Sequence, residues 1–314
     1  MGLLFLLFIG AAVWVAIGTL GILHRLTHPH RLTYGVAVGR NMPTSPADLG
    51  MTDFEEVTIS LPDGQRTPAW VIKGQKPDGP LVVISHGWGH SRYGVLPWAK
   101  LYWPLASRVV LYDLRGQGES SASQTRLGTT EVKDLLEIVR QYHTPGIPVV
   151  LAGQSMGAGI SIVAAASDDQ PGRIVGVVGE GVYRLGMQPI EGYFKRKGWP
   201  LWPFWLFVAG HLSFWYTSAR SFDRAAHAAK LKCPLLLFHA QGDIVCPVDA
   251  ARQIAAAASD ARLVEFEQGE HLNLVEVDEA RYLAALREFF DRLPAAESRQ
   301  EAFSESFSTG KSFA

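Results

Sequence analysis

The 314-residue chain has only two cysteines, Cys233 and Cys246. They bracket the apolar run 234–239, which reads as a strand, and a strand of that length holds its ends on the order of 20 Å apart at about 3.3 Å per residue. That excludes a disulfide between them and points to free thiols in a reducing compartment. An excess of one charge is also missing: 29 Lys and Arg stand against 30 Asp and Glu, a net charge of −1. Without a basic surplus there is no electrostatic footprint for nucleic acid. No His- or Cys-rich run carries metal-ligand spacing, so neither a metal nor another cofactor is expected. No internal repeat divides the chain.

Residues 2–23 lack charge altogether and are dense in Leu, Phe, Ile, Val and Trp. About 20 such residues cross the hydrocarbon core of a bilayer as a helix. A secretory signal peptide is the competing reading, but only the terminal amine precedes the apolar run, and no small-x-small cleavage site closes a short apolar core. An uncleaved single-pass membrane anchor over 1–23 is therefore expected. Arg25 and Arg31 follow it, which by the positive-inside tendency places the remainder of the chain in the cytoplasm. Residues 24–54 then read as a connector and 55–293 as one globular domain. Residues 294–314, rich in Ser, Glu, Ala and Gly, read as a disordered tail.

What the sequence does have is a sharp turn between a strand and a helix. Gly153-Gln154-Ser155-Met156-Gly157 follows the apolar run 148–152 and opens a helix-compatible stretch over 158–166. This strand, turn and helix are what a nucleophile elbow requires, with Ser155 at its apex. Flanking glycines suit it because side chains there would collide with the neighbouring strand and helix. A serine hydroxyl attacks only when a base takes its proton, and the base needs a carboxylate to fix its tautomer. Asp243 lies just beyond the strand 234–239, and His271 lies on the loop after the strand 262–267. Glu180, at the end of the apolar run 174–179, is the alternative acid. The strand Leu81–Ser85 ends in His86-Gly87-Trp88-Gly89, where a backbone N–H from Trp88 joins that of Met156 as a candidate oxyanion pair. His86 precedes that turn and reads as a structural residue rather than a base.

The order Ser155, Asp243, His271 is that of the α/β-hydrolases. Over roughly 55–293 the chain resembles this family, and is similar to its esterase, monoacylglycerol-lipase and prolyl-oligopeptidase-related branches. Asp113-Leu114-Arg115-Gly116-Gln117-Gly118-Glu119-Ser120 matches the family's D-x-R-G-x-G-x-S segment. Gly242-Asp243-Ile244-Val245-Cys246-Pro247 matches its acid loop, departing from it at Cys246. The resemblance implies structural roles for Asp113 and Arg115. Independently, apolar runs alternating with helical patterns give an α/β class, a mostly parallel sheet with helices on both faces.

Residues 183–232 form an insertion that a minimal α/β core does not need. It carries Lys195-Arg196-Lys197 and then a charge-free run, 198–219, holding Trp199, Trp202, Trp205 and Trp215. A single membrane crossing there would put Ser155 on one side and Asp243 with His271 on the other. A helical cap broken by Pro200 and Pro203 is expected instead, either packed over the site as a lid or dipping into the membrane interface. Together these features predict a membrane-anchored serine hydrolase acting on a small-molecule or lipid ester or thioester of a hydrophobic acyl group. A peptidase or amidase on the same framework and a non-catalytic membrane scaffold are the alternatives.

Overall fold

The structure is a computed structural model that describes residues 2–198, 202–215 and 222–294. Eight strands form one sheet in the order β1-β2-β4-β3-β5-β6-β7-β8. The hairpin β1 (Phe54–Ser60) and β2 (Arg66–Lys73) lies antiparallel at one edge. From β4 (Arg108–Tyr112) through β3 (Leu81–Ser85), β5 (Val149–Gln154), β6 (Ile174–Glu180), β7 (Leu235–Ala240) and β8 (Ala261–Phe266) all neighbours are parallel. Every residue of β3, β5, β6 and β7 is buried, which is why they read as unbroken apolar runs.

The two-residue strand period divides these side chains between two cores. Val83, Leu151, Val177 and Leu237 face helices α4 (Thr130–Tyr142), α5 (Met156–Ser167) and α9 (Val248–Ala257). Val82, Val150, Val178 and Phe238 face α3 (Arg92–Tyr102) and α11 (Glu279–Asp291), with Phe238 stacked on Tyr282 at 3.8 Å between ring centres. The expected α/β arrangement is thus the observed one. Its register brings the functional loops together: Ser85 pairs with Gly153, Gln154 with Glu180, Glu180 with Phe238 and Ala240 with Phe266. The loops that leave these strands emerge side by side at the carboxyl edge of the sheet.

The first helix, α1 (Gly2–Thr27), is apolar on all sides and projects from this body, with none of its most apolar stretch buried. At 26 residues it is about 39 Å long, enough to cross a hydrocarbon core of about 30 Å. Its carboxyl end is fastened rather than loose. The Trp88 indole N–H donates to the Leu26 carbonyl at 2.9 Å, and the Thr125 N–H donates to Thr27 O at 2.9 Å. Within 24–54, read as a connector, the short helix α2 (Tyr34–Gly39) and its flanks are packed: Leu32, Ala37 and Met51 are buried with Trp70 and Tyr93 in the second core. Arg31 donates to Ser120 O at 2.7 Å and to Ala122 O.

The insertion 183–232 contains α6 (Met187–Lys197), α7 (Phe204–Trp215) and α8 (Arg224–Ala228). Helix α8 belongs to the body, packed on α5 and α9, and α6 lies over the acid loop. Helix α7 pairs with α1, its Phe204 ring 4.9 Å from that of Trp14. The short α10 (Leu274–Val277) follows the His271 loop. Trp199 and Pro200 of the expected cap and residues 295–314 of the expected tail lie outside the described residues.

Candidate active site

Ser155 follows β5 directly and precedes the first turn of α5, with φ 51° and ψ −111°. A non-glycine residue with positive φ is strained and persists only where its surroundings hold it. Here the neighbours do so by contact. A Cβ on Gly157 would lie 2.0 Å from the Ser85 carbonyl, and one on Gly153 would lie 2.3 Å from the Gly157 backbone. The Ser155 N–H donates to Glu180 O at 2.8 Å, tying the turn to the end of β6.

The structure brings together the sequence-identified residues. His271 Nδ1 lies 2.7 Å from Asp243 Oδ2. To donate to that carboxylate Nδ1 carries the ring proton, which leaves Nε2 as an acceptor. The other Asp243 oxygen accepts N–H bonds from Val245 at 2.8 Å and Cys246 at 2.9 Å, so the carboxylate is fixed at both ends. Gly181, with φ 63°, gives the imidazole its space: a Cβ there would approach His271 Cε1 to 2.9 Å.

Trp88 and Met156, the candidate oxyanion donors, flank the serine on different elements. Gly87 approaches it closely, its Cβ position 3.5 Å from Ser155 Cβ. Met156 opens α5, whose first N–H groups have no acceptor within the helix. The Trp88 indole reaches between α1 and α6, packing edge-on to Tyr193 at 6.3 Å.

The two alternative residues face elsewhere. Glu180 accepts from Tyr282 OH at 3.2 Å and Leu274 N at 3.4 Å, and burial pushes its carboxyl up to about 7. His86 accepts the Leu114 N–H on Nε2 at 2.9 Å and bonds the Gly87 carbonyl through Nδ1 at 2.7 Å. Complete burial pushes its pKa down to about 3, so it holds the turn as a neutral ring. Asp113 pairs with Arg92 at 2.5 Å, and Arg115 with Asp134 at 2.8 Å and Asp63 at 2.6 Å, bracing the loop beside the site.

Two further residues enter the site. The Cys246 thiol interacts with the Ser155 side chain, and burial followed by the charge of Asp243 holds its pKa well above the usual range. Ligand-type atoms of Asp243, Cys246 and His271 lie within 4.8 Å of one another. The Asp243 carboxylate is already engaged by the imidazole and by two backbone N–H groups, so the three residues form a hydrogen-bonded cluster. His239, also fully buried, bonds the Cys246 carbonyl at 2.7 Å through Nε2 and so clamps the acid loop. The only sequence signal for these two was their position around Asp243.

A strained serine between a parallel strand and a helix, with an acid loop and a histidine loop at the same sheet edge, defines the α/β-hydrolase class. The chain belongs to the alpha/beta hydrolase family, whose model matches residues 81–286. It is 37% identical over 148 residues to protein phosphatase methylesterase 1 of Mus musculus, 45% of this chain and 37% of that protein. It is 38% identical over 104 residues to monoglyceride lipase of Homo sapiens, 31% of this chain and 33% of that one. The chain thus spans about a third of the length of each of these two relatives. Among solved structures it is similar to the Pf2001 esterase of Pyrococcus furiosus, with a TM-score of 0.67 at 19% identity over 85% of this chain and 98% of that one. The structural likeness shows the fold.

Proposed function

We propose that the protein is a membrane-anchored serine hydrolase that cleaves carboxylic esters or thioesters of a hydrophobic acyl group through an acyl-enzyme on Ser155. The observation that carries this reading is the 2.7 Å His271–Asp243 pair beside a serine held at φ 51°. His271 Nε2 takes the Ser155 proton as Oγ bonds to the acyl carbon, and the carbonyl oxygen becomes an anion facing the Trp88 and Met156 N–H groups. Collapse of that intermediate expels the alcohol or thiol, which leaves with the proton from His271. Water then repeats the sequence on the acyl-enzyme and frees the acid. The positive end of α5 at Met156 adds to stabilisation of the anion.

The domain reading proposed with it is an anchor over 1–23, a segment 24–54 joining it to the catalytic domain 55–293, a cap within 183–232, and a carboxyl-terminal tail over 294–314, of which 295–314 lie outside the described residues. The anchor reading rests on the length and apolar surface of α1, and the cytoplasmic side on Arg25 and Arg31. Fluorophosphonate labelling of the full-length protein, followed by a chain-length series of acyl esters in detergent, tests the chemistry. Labelling at Ser155 with ester turnover is the expected result. An unlabelled, folded protein points to a scaffold, and preferential cleavage of aminoacyl amides to a peptidase.

A further inference from the structure

Helices α1 and α7 leave between them an apolar groove of about 660 Å³, in the usual range for ligand sites of about 300–1,000 Å³. Eight residues of α1 from Phe8 to Leu23, spaced three and four apart along one face, line it, with small side chains at Ala12 and Ala16, and Phe207 and His211 line it from α7. At 1.5 Å per residue the groove follows α1 for about 22 Å, more than the roughly 15 Å depth of one leaflet's hydrocarbon.

Two observations point to an occupant. Thr19 lines the groove, is 8% exposed, and its hydroxyl is buried with no hydrogen-bond partner among the described residues. Such an orphan costs about 1–3 kcal/mol unless something polar meets it. The groove also runs toward the site: one turn beyond Leu23, the Leu26 carbonyl is bonded to the indole of Trp88, next to the glycine that approaches Ser155. With α1 seated in a bilayer, what reaches this face is a lipid chain.

We propose that the α1–α7 groove is the acyl-chain site for a long-chain ester lipid entering sideways from the bilayer. The tail lies against Ala12 and Ala16, and an oxygen of the lipid's ester headgroup passes Thr19 on its way to Ser155. This deepens the hydrolase reading and rests on it for the substrate class. Chain selectivity is then set by the membrane helix as well as by the catalytic domain.

The test uses full-length protein in phosphatidylcholine nanodiscs holding a monoacylglycerol with a diazirine in its acyl chain. Crosslinks should concentrate on the groove face of α1 and on α7, in the Ser155→Ala protein as in the unaltered one. Ala16→Phe should lower that labelling at least five-fold and cut kcat/KM for the bilayer-borne ester at least ten-fold, while a short soluble ester stays within two-fold. Thr19→Val keeps the side-chain volume and should lower labelling about three-fold without lowering the melting temperature. Crosslinks spread evenly around α1, or long-chain turnover indifferent to Ala16→Phe, overturn the proposal. Because labelling is read without turnover, a protein that binds the probe but cleaves neither ester refutes the hydrolase reading and leaves the groove standing.

Discussion

Ser155 is held in a backbone conformation that costs on the order of 1–3 kcal/mol, and the surrounding contacts supply the restraint. Ser155→Ala is expected to stay folded, to lose fluorophosphonate labelling and to lower kcat by roughly three to six powers of ten. Asp243→Asn is expected to cost about 10⁴ in kcat because it spoils the imidazole tautomer, whereas Glu180→Gln should cost little, since Glu180 bonds Tyr282 and Leu274 rather than His271. The reverse ranking of the two variants would transfer the acid's role to Glu180. Glu180 matters for stability instead. Its folded pKa, about 7, lies above its ordinary 4.5, so the native state holds a proton that the unfolded chain has released, and stability falls as pH rises through that window. Glu180→Gln, which mimics the protonated acid, is expected to change the melting temperature little at pH 4.5. Above pH 7 it should stabilise by roughly 1–3 kcal/mol, readable as a pH-dependent difference between the two melting curves. At this scale the three residues could be picked out because Ser155, Asp243 and His271 each lie on the turn or loop after a run that reads as a strand. The Cys246 thiol was not, since nothing in the sequence aims a side chain.

Among the elements, the carboxyl ends of β3, β5, β6 and β7 are aligned by register, and the short residues after them decide what fits. Gly181 follows β6 with φ 63° and faces the His271 ring. Gly181→Ala places a side chain where the imidazole sits and strains the backbone by about 1 kcal/mol. A kcat loss of ten-fold or more with a small fall in melting temperature is expected from paired kinetics and thermal unfolding. Unchanged kcat would mean that the histidine loop accommodates a methyl group. Strands β3, β5, β6, β7 and β8 and helix α5 were readable from the run lengths and flanking turns, with boundaries within two residues. The pairing of α1 with α7 was not readable, because helices that are apolar on every side mark no preferred face.

For the molecule as a whole, the packed segment 24–54 changes what a truncation does. Removing 1–23 leaves Leu26 and Thr27 with their bonds to Trp88 and Thr125, and the protein is expected to fold and hydrolyse short soluble esters. Removing 1–53 strips Leu32, Ala37 and Met51 from the second core. Deleting one large buried apolar side chain costs about 2–5 kcal/mol, so the shorter protein should be unstable or insoluble. Circular dichroism and short-ester turnover on the two truncations distinguish these outcomes, and a stable, active 54–314 protein would show that the segment is a passive spacer. Its role was hidden in the sequence because three isolated apolar residues among Pro, Gly and His make no period. The bond from Leu26 to Trp88 has one more implication. An enzyme on a slack leash tumbles and samples every heading and height above the lipid surface, whereas one bolted at the root of its anchor keeps a single heading. With α1 in a bilayer as proposed, the search for substrate would become two-dimensional diffusion with the mouth of the site always at the same altitude, and encounter would depend on surface density of the proposed ester rather than on its concentration in water.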